Sequence, residues 1–326
     1  MSDGNQKKIV FLYSGPHVPD VIIESAKTKV PDGFSLQFCE LSTPDAERRA
    51  AVESADYIMA YAVGFDDIDI AGRARLFQLL SAGYDRFDLK AFAALGLPIA
   101  TNGGANAPTV AEHALLLMLA VYKKLGMRDR TMRAGNWVGM REALSMRELR
   151  GKQVGIVGFG KIGRLLAEMV GGFRTSVVYY DVQAAPPEVE RDLNAKRVEL
   201  DELMKTSDVI SLHTPLNDAT RGLIGRETLA RMKSTAILIN TGRGPVVNED
   251  ALYEGLKSGA IAGAGLDVFE VEPLDPKSPL LTLDNIVVTP HIAGTTLDTW
   301  TRRLDFAFGN FQRVDGGEAA ESLIPG

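Results

Sequence analysis

The stretch VGIVGFGKIGRLLAE (residues 154–168) decides the fold of the C-terminal half of this chain. It joins a short apolar run to a helical pattern through the spacing G-x-G-x-x-G, with Gly158, Gly160 and Gly163 at the fixed positions. An apolar strand, a glycine-rich turn and a helix in this order are typical of the first unit of a dinucleotide-binding fold. We therefore predict a tight turn at Gly158, close approach of a pyrophosphate to the backbone at Gly160, and close packing of the helix at Gly163.

The helix after this turn should present its first amide groups, at Lys161 and Ile162, to phosphate. Asp181 ends the next apolar run, where a carboxylate can accept hydrogen bonds from the hydroxyls of an adenosine ribose. An acid at this position also repels a 2′-phosphate, and the sequence has no arginine or lysine between Asp181 and Arg191. The cofactor predicted from these residues is NAD, with NADP disfavoured.

Apolar runs on both sides of the glycine turn extend the same pattern. Six runs lie between residues 153 and 290, with helical patterns between most of them: QVGIVG, SVVYYD, DVISLH, TAILIN, IAGAGLDV and NIVVTP. Five more lie in the first hundred residues: KIVFLY, SLQFCEL, YIMAYA, LFQLLSAG and LPIAT. Buried strands alternating with helices predict an α/β protein with two doubly wound parallel sheets.

Between the two sheets, residues 109–125 form an apolar helical pattern and residues 126–152 are polar and irregular. We interpret Glu112 and His113 as a satisfied pair at the start of this helix, and 126–152 as a connecting arm. A helix that is apolar nearly all round has to be covered on several sides, which favours a homodimer.

Composition excludes several function classes. The net charge of −6 argues against a general binder of nucleic acid or of anionic membranes. Cys39 is the only cysteine, so no intrachain disulfide or cysteine-based metal site can form, and we predict no metal. The longest apolar stretch, ALLLMLAVY, is too short to span a bilayer, and the apolar run near the N-terminus is too short for a signal peptide. These features predict a cytoplasmic location and no membrane partner.

Charged residues follow several strands of the second sheet. Arg243 follows the fourth apolar run, three acids (Asp267, Glu270 and Glu272) follow the fifth, and His291 follows the sixth. The carboxyl ends of parallel strands meet at one edge of a sheet, where open α/β sheets bind their ligands. An arginine, an acid and a histidine from three strands therefore predict a catalytic constellation at that edge.

At this point the chain resembles the D-isomer-specific 2-hydroxyacid dehydrogenases. The matching segments appear in the family's order and spacing over nearly the whole length: SAGYDRFD (81–88), NAPTVAEHALLLMLA (106–120), VGIVGFGKIG (154–163), LHTPLNDATRGLI (212–224), INTGRGPVV (239–247), GLDVFEVEP (265–273) and TPHIAG (289–294). The resemblance implies a flavodoxin-like substrate domain at residues 1–101 plus 292–326, a Rossmann NAD domain at 102–291, and a cleft between them.

The resemblance also implies roles for individual residues. The family's catalytic residues fall on Arg243, Glu272 and His291, and Arg243 and His291 would also contact the substrate. Further substrate contacts are implied at Ala82 and Gly83, through their backbone, and at Asn106. The residues implied to bind the cofactor are Gly158, Gly160, Lys161, Ile162, Gly163, Asp181, Thr214, Pro215, Thr241, Asp267, Gly294 and Thr109.

The activity implied is hydride transfer between NAD(H) and a small 2-hydroxy or 2-keto acid, such as reduction of glyoxylate or hydroxypyruvate. His291 would carry the substrate proton, with Glu272 as its partner and Arg243 holding the substrate. The alternative is an NAD(H)-sensing binding protein or corepressor of the same fold, which keeps these residues without metabolic turnover. Neither terminus carries an obvious peptide-binding or nuclear-targeting extension, which favours the enzyme.

Overall fold

A computed structural model of the chain describes residues 6–64, 66–137 and 139–325. The chain divides into two compact units, one formed by Met1–Asn106 with Thr295–Gly326 and the other by Ala107–Gly294. The chain passes between the units after Asn106 and after Gly294, a few residues beyond the boundaries that we predicted at 101 and 291. Within the described ranges, no helix is both long enough and apolar enough to cross a membrane.

The first unit contains a parallel five-stranded sheet. Its strands and first helices are β1 (Lys7–Tyr13), α1 (Asp20–Lys29), β2 (Phe34–Glu40), α2 (Asp45–Glu53), β3 (Tyr57–Tyr61), β4 (Phe77–Leu79), α3 (Leu89–Leu95) and β5 (Ile99–Ala100). The strand order β2-β1-β3-β4-β5 is the flavodoxin-like order, as predicted.

The second unit begins with three helices and continues into a parallel seven-stranded sheet. Its elements are α4 (Ala107–Tyr122), α5 (Leu125–Arg133), α6 (Met140–Ala143), β6 (Gln153–Val157), α7 (Lys161–Gly171), β7 (Ser176–Tyr180), α8 (Pro187–Asp192), β8 (Ala195–Arg197), α9 (Leu200–Thr206), β9 (Val209–Leu212), α10 (Arg226–Ala230), β10 (Ile237–Asn240), α11 (Glu249–Ser258), β11 (Gly263–Leu266) and β12 (Ile286–Val288). The last helix, α12 (Leu297–Asp315), returns to the first unit.

The order of the second sheet is β12-β11-β10-β9-β6-β7-β8, with every neighbouring pair parallel. The order reverses between β6 and β9, which is the Rossmann arrangement and the point where such sheets bind ligands. The predicted fold class is therefore confirmed. Two details differ: β8 is a seventh strand that we did not predict, and the segment predicted as an irregular arm contains α5 and α6.

Both sheets are covered by apolar side chains on both faces. Along β9, Val209 and Ile210 are both fully buried but belong to different apolar clusters, and Ile9 and Val10 of β1 divide in the same way. Because neighbouring side chains of a strand point to opposite faces, two clusters per sheet mean two covered faces. This explains why the strands are continuous apolar runs in the sequence.

Candidate active site

The glycine turn at the start of the second sheet has the geometry that its sequence predicts. Gly158 has a φ of 93°, and a Cβ there would lie 2.8 Å from the backbone carbonyl of His213. A Cβ on Gly163 would lie 2.4 Å from the carbonyl oxygen of Gly158, whereas nothing lies within 4 Å of a Cβ on Gly160. Helix α7 begins directly after Gly160, and no side chain of the described residues caps it. The turn is therefore closed toward the protein and open on the side where its amides face outward.

Two polar groups beside this turn fit a bound dinucleotide. The Asp181 carboxylate accepts hydrogen bonds from the amide of Phe159 (2.7 Å) and from that of Gln183 (3.3 Å), which keeps it at the end of β7 next to the glycine turn. The hydroxyl of Thr214 is buried and has no hydrogen-bond partner among the described residues. A buried hydroxyl without a partner is costly, and a polar ligand atom would satisfy it. Pro215, which follows, is exposed.

His213 lies at the end of β9 between two hydroxyls. Its Nε2 lies 2.9 Å from the Ser211 hydroxyl, and its Nδ1 lies 3.4 Å from the hydroxyl of Thr241, which is itself buried. Burial lowers the pKa of His213 to about 4. The ring is therefore neutral near pH 7 and adds no charge beside the predicted cofactor position.

His291, after β12, has a charged partner instead. Its Nδ1 lies 2.6 Å from Oε2 of Glu272, while Oε1 of Glu272 accepts the amide hydrogen of Phe269 at 3.0 Å. The acceptor at Nδ1 is a carboxylate, so Nδ1 carries a proton and Nε2 is the nitrogen left to gain or lose one. The His291 side chain is 46% exposed. This arrangement can move a proton to and from a ligand at Nε2.

The backbone at His291 is held in an uncommon conformation. Its φ is 54°, in the left-handed region that residues other than glycine rarely adopt. The His291 amide donates to the carbonyl oxygen of Asp267 at 2.7 Å, and the Asp267 carboxylate accepts the amides of Ile292 (3.0 Å) and Ala293 (2.8 Å). Asp267, which the family resemblance places beside the cofactor, is fully buried here and anchors the segment that carries His291.

A threonine that we did not single out from the sequence completes this anchor. The Thr289 hydroxyl donates to the Asp267 carboxylate at 2.6 Å and lies 2.9 Å from Nε2 of His113 on α4. Its one hydrogen goes to the carboxylate, so it accepts from His113. The expected pairing of His113 with Glu112 is therefore wrong: the ring points to Thr289, and Glu112 is exposed. Only the folded structure could reveal a partner so distant in sequence.

Arg243 lies in a turn after β10 that Asn240 shapes. The Asn240 side chain accepts the amide of Gly242 at 3.1 Å and donates to the carbonyl oxygen of Arg243 at 3.0 Å. The guanidinium of Arg243 donates to the Gly242 carbonyl oxygen at 2.8 Å. The rigid turn fixes the starting point of a long, always charged side chain.

Electrostatics link Arg243, Glu272 and His291. Burial of Glu272 opposes its ionisation, but the hydrogen bonds from His291 and Phe269, together with the charges of His291 and Arg243, lower its pKa below the usual value. The other candidate acid, Glu270, accepts the amide of Glu249 at 3.1 Å at the start of α11. The structure thus brings Arg243, Glu272 and His291 together and assigns Glu270 to a helix terminus.

The remaining predicted residues lie in two places. Thr109, in the first turn of α4, and Gly294 are half-buried residues of the second unit. Ala82, Gly83 and Asn106 belong to the first unit. The Ser81 hydroxyl donates to the Gly83 carbonyl oxygen at 2.9 Å and so braces the loop after β4.

Asn106 is braced in the first unit as well: its side-chain oxygen accepts from the Asn102 amide group at 3.1 Å. Among the described residues, no three histidine, cysteine, aspartate or glutamate side chains are grouped so that they could hold a metal ion.

The chain is similar in sequence and in fold to known proteins over most of its length. The family model described as "D-isomer specific 2-hydroxyacid dehydrogenase, NAD binding domain" matches residues 115–293. A glyoxylate reductase of Korarchaeum cryptofilum is 35% identical over 93% of each chain. A hydroxypyruvate reductase of Thermotoga maritima is 40% identical over 88% of this chain and 93% of its own. The solved D-mandelate dehydrogenase of Rhodotorula graminis superposes with a TM-score of 0.85, at 28% identity over 98% of both chains.

Proposed function

This chain belongs to the D-isomer-specific 2-hydroxyacid dehydrogenase family, and from that membership we propose that it reduces a small 2-keto acid with NADH as the hydride donor. Glyoxylate and hydroxypyruvate are the substrates that we favour, because relatives covering most of the chain carry those names. The observation that carries the proposal is the 2.6 Å contact between His291 and Glu272, with the charge of Arg243 acting on the same carboxylate.

His291 is the proton donor in this proposal. When bound, the nicotinamide supplies a hydride to the keto carbon, so the keto oxygen must gain a proton as the hydroxyl forms. Protonated His291 donates that proton from Nε2, while Glu272 keeps the ring oriented through Nδ1 and stabilises its positive charge. In the oxidation direction, neutral His291 removes the same proton.

Arg243 binds the substrate carboxylate and polarises the keto oxygen. Its planar fork can make two parallel hydrogen bonds to a carboxylate, which the compact ammonium group of a lysine cannot do. In the first unit, the backbone at Ala82 and Gly83 and the side chain of Asn106 supply further substrate contacts. The first unit is accordingly the substrate-binding domain and the second the cofactor-binding domain.

For the cofactor, the favoured form is NAD. The open turn at Gly160, the first amides of α7 at Lys161 and Ile162, and the unsatisfied hydroxyl of Thr214 fit a pyrophosphate and its neighbouring groups. Asp181 lies where a carboxylate accepts the ribose hydroxyls and repels a 2′-phosphate. Further cofactor contacts come from residues around this strand edge, namely Gly158, Gly163, Pro215, Thr241, Asp267, Gly294 and Thr109.

The working assembly is a homodimer in the cytoplasm. Large apolar side chains are exposed along α4, α5 and the segment after them: Leu116, Leu125, Met132, Trp137, Met140 and Leu144. An exposed apolar surface of this kind is typical of an interface, and twofold dimers are the commonest assembly. Light scattering at micromolar concentration should give twice the monomer mass. The single buried cysteine suits a reducing compartment.

The proposal is tested by mixing the enzyme with NADH and a panel of keto acids (glyoxylate, hydroxypyruvate, pyruvate and phenylglyoxylate) and following NADH absorbance. We expect turnover of the smaller acids, and oxidation of only the D-isomer of a chiral 2-hydroxy acid in the reverse direction. Tight NADH binding without turnover of any keto acid would contradict the proposal and support the sensor alternative.

A further inference from the structure

Arg197 lies beside Asp181 at the edge of the second sheet. Its Nη2 lies 3.0 Å and its Nε 3.3 Å from the carbonyl oxygen of Asp181, and both nitrogens donate to it. The sequence gives no hint of this neighbour, because Arg197 lies on β8, the strand that we did not predict. A cation is thus in contact with the residue that we expect to bind the adenosine ribose.

The sheet register explains why the two residues meet. Strands β7 and β8 are parallel neighbours, with Arg197 opposite Tyr179, and β8 is the edge strand. Arg197 is the last residue of β8 and Asp181 directly follows β7. Both therefore lie at the carboxyl edge, the edge that carries the glycine turn and binds ligands in such sheets.

The guanidinium of Arg197 has donor capacity that the protein does not use. The side chain is exposed, and among the described residues no carboxylate lies within 4.0 Å of it. Its two recorded acceptor contacts both go to one carbonyl oxygen, although a guanidinium has five N–H donors. Such a group suits a phosphate, which it can bind with two parallel hydrogen bonds.

A second arginine contacts the glycine turn, one residue from the gap into which the turn opens. Nε of Arg164, on α7, donates at 3.0 Å to the carbonyl oxygen of Phe159, whose amide donates to the Asp181 carboxylate. Arg197 therefore donates to the backbone of Asp181 itself, and Arg164 donates to the backbone of Phe159, which is hydrogen-bonded to Asp181. Two positive charges reduce the repulsion that one carboxylate exerts on an incoming anion.

We infer that Arg197 is a specificity-determining residue that binds the 2′-phosphate of NADP(H), so that this chain accepts NADP(H) as well as NAD(H). Asp181 favours NAD and Arg197 narrows that preference. The inference rests on the proposed function, since it assumes that the second unit binds a nicotinamide dinucleotide at this edge.

Calorimetric titration of the full-length protein tests it without turnover. The probes are AMP against adenosine 2′,5′-bisphosphate, and NAD⁺ against NADP⁺. The Arg197→Met variant, which keeps the length of the side chain without its charge, should bind both 2′-phosphorylated probes about tenfold more weakly, the effect of about one charge-assisted hydrogen bond. AMP and NAD⁺ should bind it as they bind the wild type. Arg197→Lys should recover part of the loss.

Arg191→Met is the matched control, because Arg191 is an exposed arginine of the same region that pairs with Asp192. It should bind all four probes as the wild type does. An unchanged ratio of NADP⁺ to NAD⁺ affinity in Arg197→Met would overturn the inference and leave the proposed function intact, provided that the wild type binds NAD⁺. A wild type that binds neither dinucleotide would overturn both.

Discussion

Two histidines lie at the carboxyl ends of strands in one sheet, but they differ in burial and in the groups that contact their rings. His213, after β9, is bracketed by the hydroxyls of Ser211 and Thr241, and burial lowers its pKa to about 4. His291, after β12, is half exposed and paired with the carboxylate of Glu272. Position at a strand end is common to both, so the partner of the ring is what distinguishes the buried neutral histidine from the one that we propose as the proton carrier.

The backbone shows the same contrast. His213 continues from its strand and its amide donates to Val157 of β6 at 2.8 Å, as a strand residue would. His291 has a φ of 54°, and its amide donates to the carbonyl oxygen of Asp267. The two oxygens of the Asp267 carboxylate accept the amides of the next two residues, one each. Uncommon backbone conformations persist where the surroundings enforce them, and they cluster at functional sites.

The largest effect is expected from replacing the guanidinium of Arg243, whose charge acts on the carboxylate paired with His291. Arg243→Lys keeps the positive charge but loses the planar pair of hydrogen bonds. At about 1.5–3 kcal/mol for each bond to a charged group, the lost pair contributes about 3–6 kcal/mol, so kcat/KM for glyoxylate should fall about a hundredfold to ten-thousandfold. Steady-state kinetics measure this. Arg231→Lys, an exposed arginine paired with Asp201, is the control and should match the wild type.

The lowered pKa of His213 predicts an effect of pH on stability. The pKa of His213 is about 4 when folded and about 6.5 when unfolded, so between these values only the unfolded chain binds the proton. The free energy of unfolding should therefore fall as pH drops from about 6.5 to about 4, by up to about 3 kcal/mol. Urea unfolding at several pH values measures the slope.

His213→Gln should flatten this slope, while His17→Gln, at an exposed position of the first unit, should leave it unchanged. Equal slopes in the wild type and His213→Gln would show that burial does not keep His213 neutral, and the contrast drawn between His213 and His291 would be wrong.

A smaller effect is expected from neutralising the partner of His291. Glu272→Gln can still accept a hydrogen bond from Nδ1 but no longer stabilises a positive ring. A hydrogen bond to a charged group contributes about 1.5–3 kcal/mol, so kcat should fall about tenfold to a hundredfold. The pKa of Glu272 lies below the ordinary value for a glutamate. The ion pair between Glu272 and His291 should therefore persist until the pH falls below the pKa of a free glutamate. Glu270→Gln should change kcat by less than about twofold; a larger loss there would mean that the wrong acid had been chosen.

The smallest effect concerns the anchor beneath His291. Thr289→Val removes the hydroxyl shared by Asp267 and His113 and leaves both with an unmet hydrogen bond. The cost should be about 1 kcal/mol in the free energy of unfolding, with a fewfold loss of kcat. Thr282→Val is the control, since that residue is exposed and its hydroxyl donates to the carbonyl oxygen of Pro279 within its own turn. If both variants unfolded alike, the anchor would have no measurable value.

Much of the fold followed from the sequence because its strands are covered on both faces. Runs such as VVYY and AILIN have no polar alternation, and few other elements produce them between helical patterns. Strand β8 escaped because it is a short edge strand with two exposed basic residues, Lys196 and Arg197, and such a pattern is typical of a loop.

The site divides in the same way. Arg243, Glu272 and His291 could be found because each stands at a recognisable strand end within a motif. The family pattern selected Glu272 over Glu270, two positions earlier, and the structure adds where each carboxylate points: Glu272 toward His291 and Glu270 toward the first amide of α11. The Thr289–His113 contact joins residues that no local pattern relates, and it becomes visible only when β12 packs against α4.

The most direct test of the account compares the two histidines themselves. The rate of glyoxylate reduction at saturating NADH is measured for His291→Gln and His213→Gln, with NADH affinity determined separately. Loss of a general acid typically costs a factor of about a hundred to ten thousand, so His291→Gln should bind NADH normally and lose about a thousandfold in kcat. His213→Gln should keep kcat within about tenfold of the wild type. Full activity in His291→Gln, or an equal loss in both variants, would contradict the assignment of His291 as the proton donor.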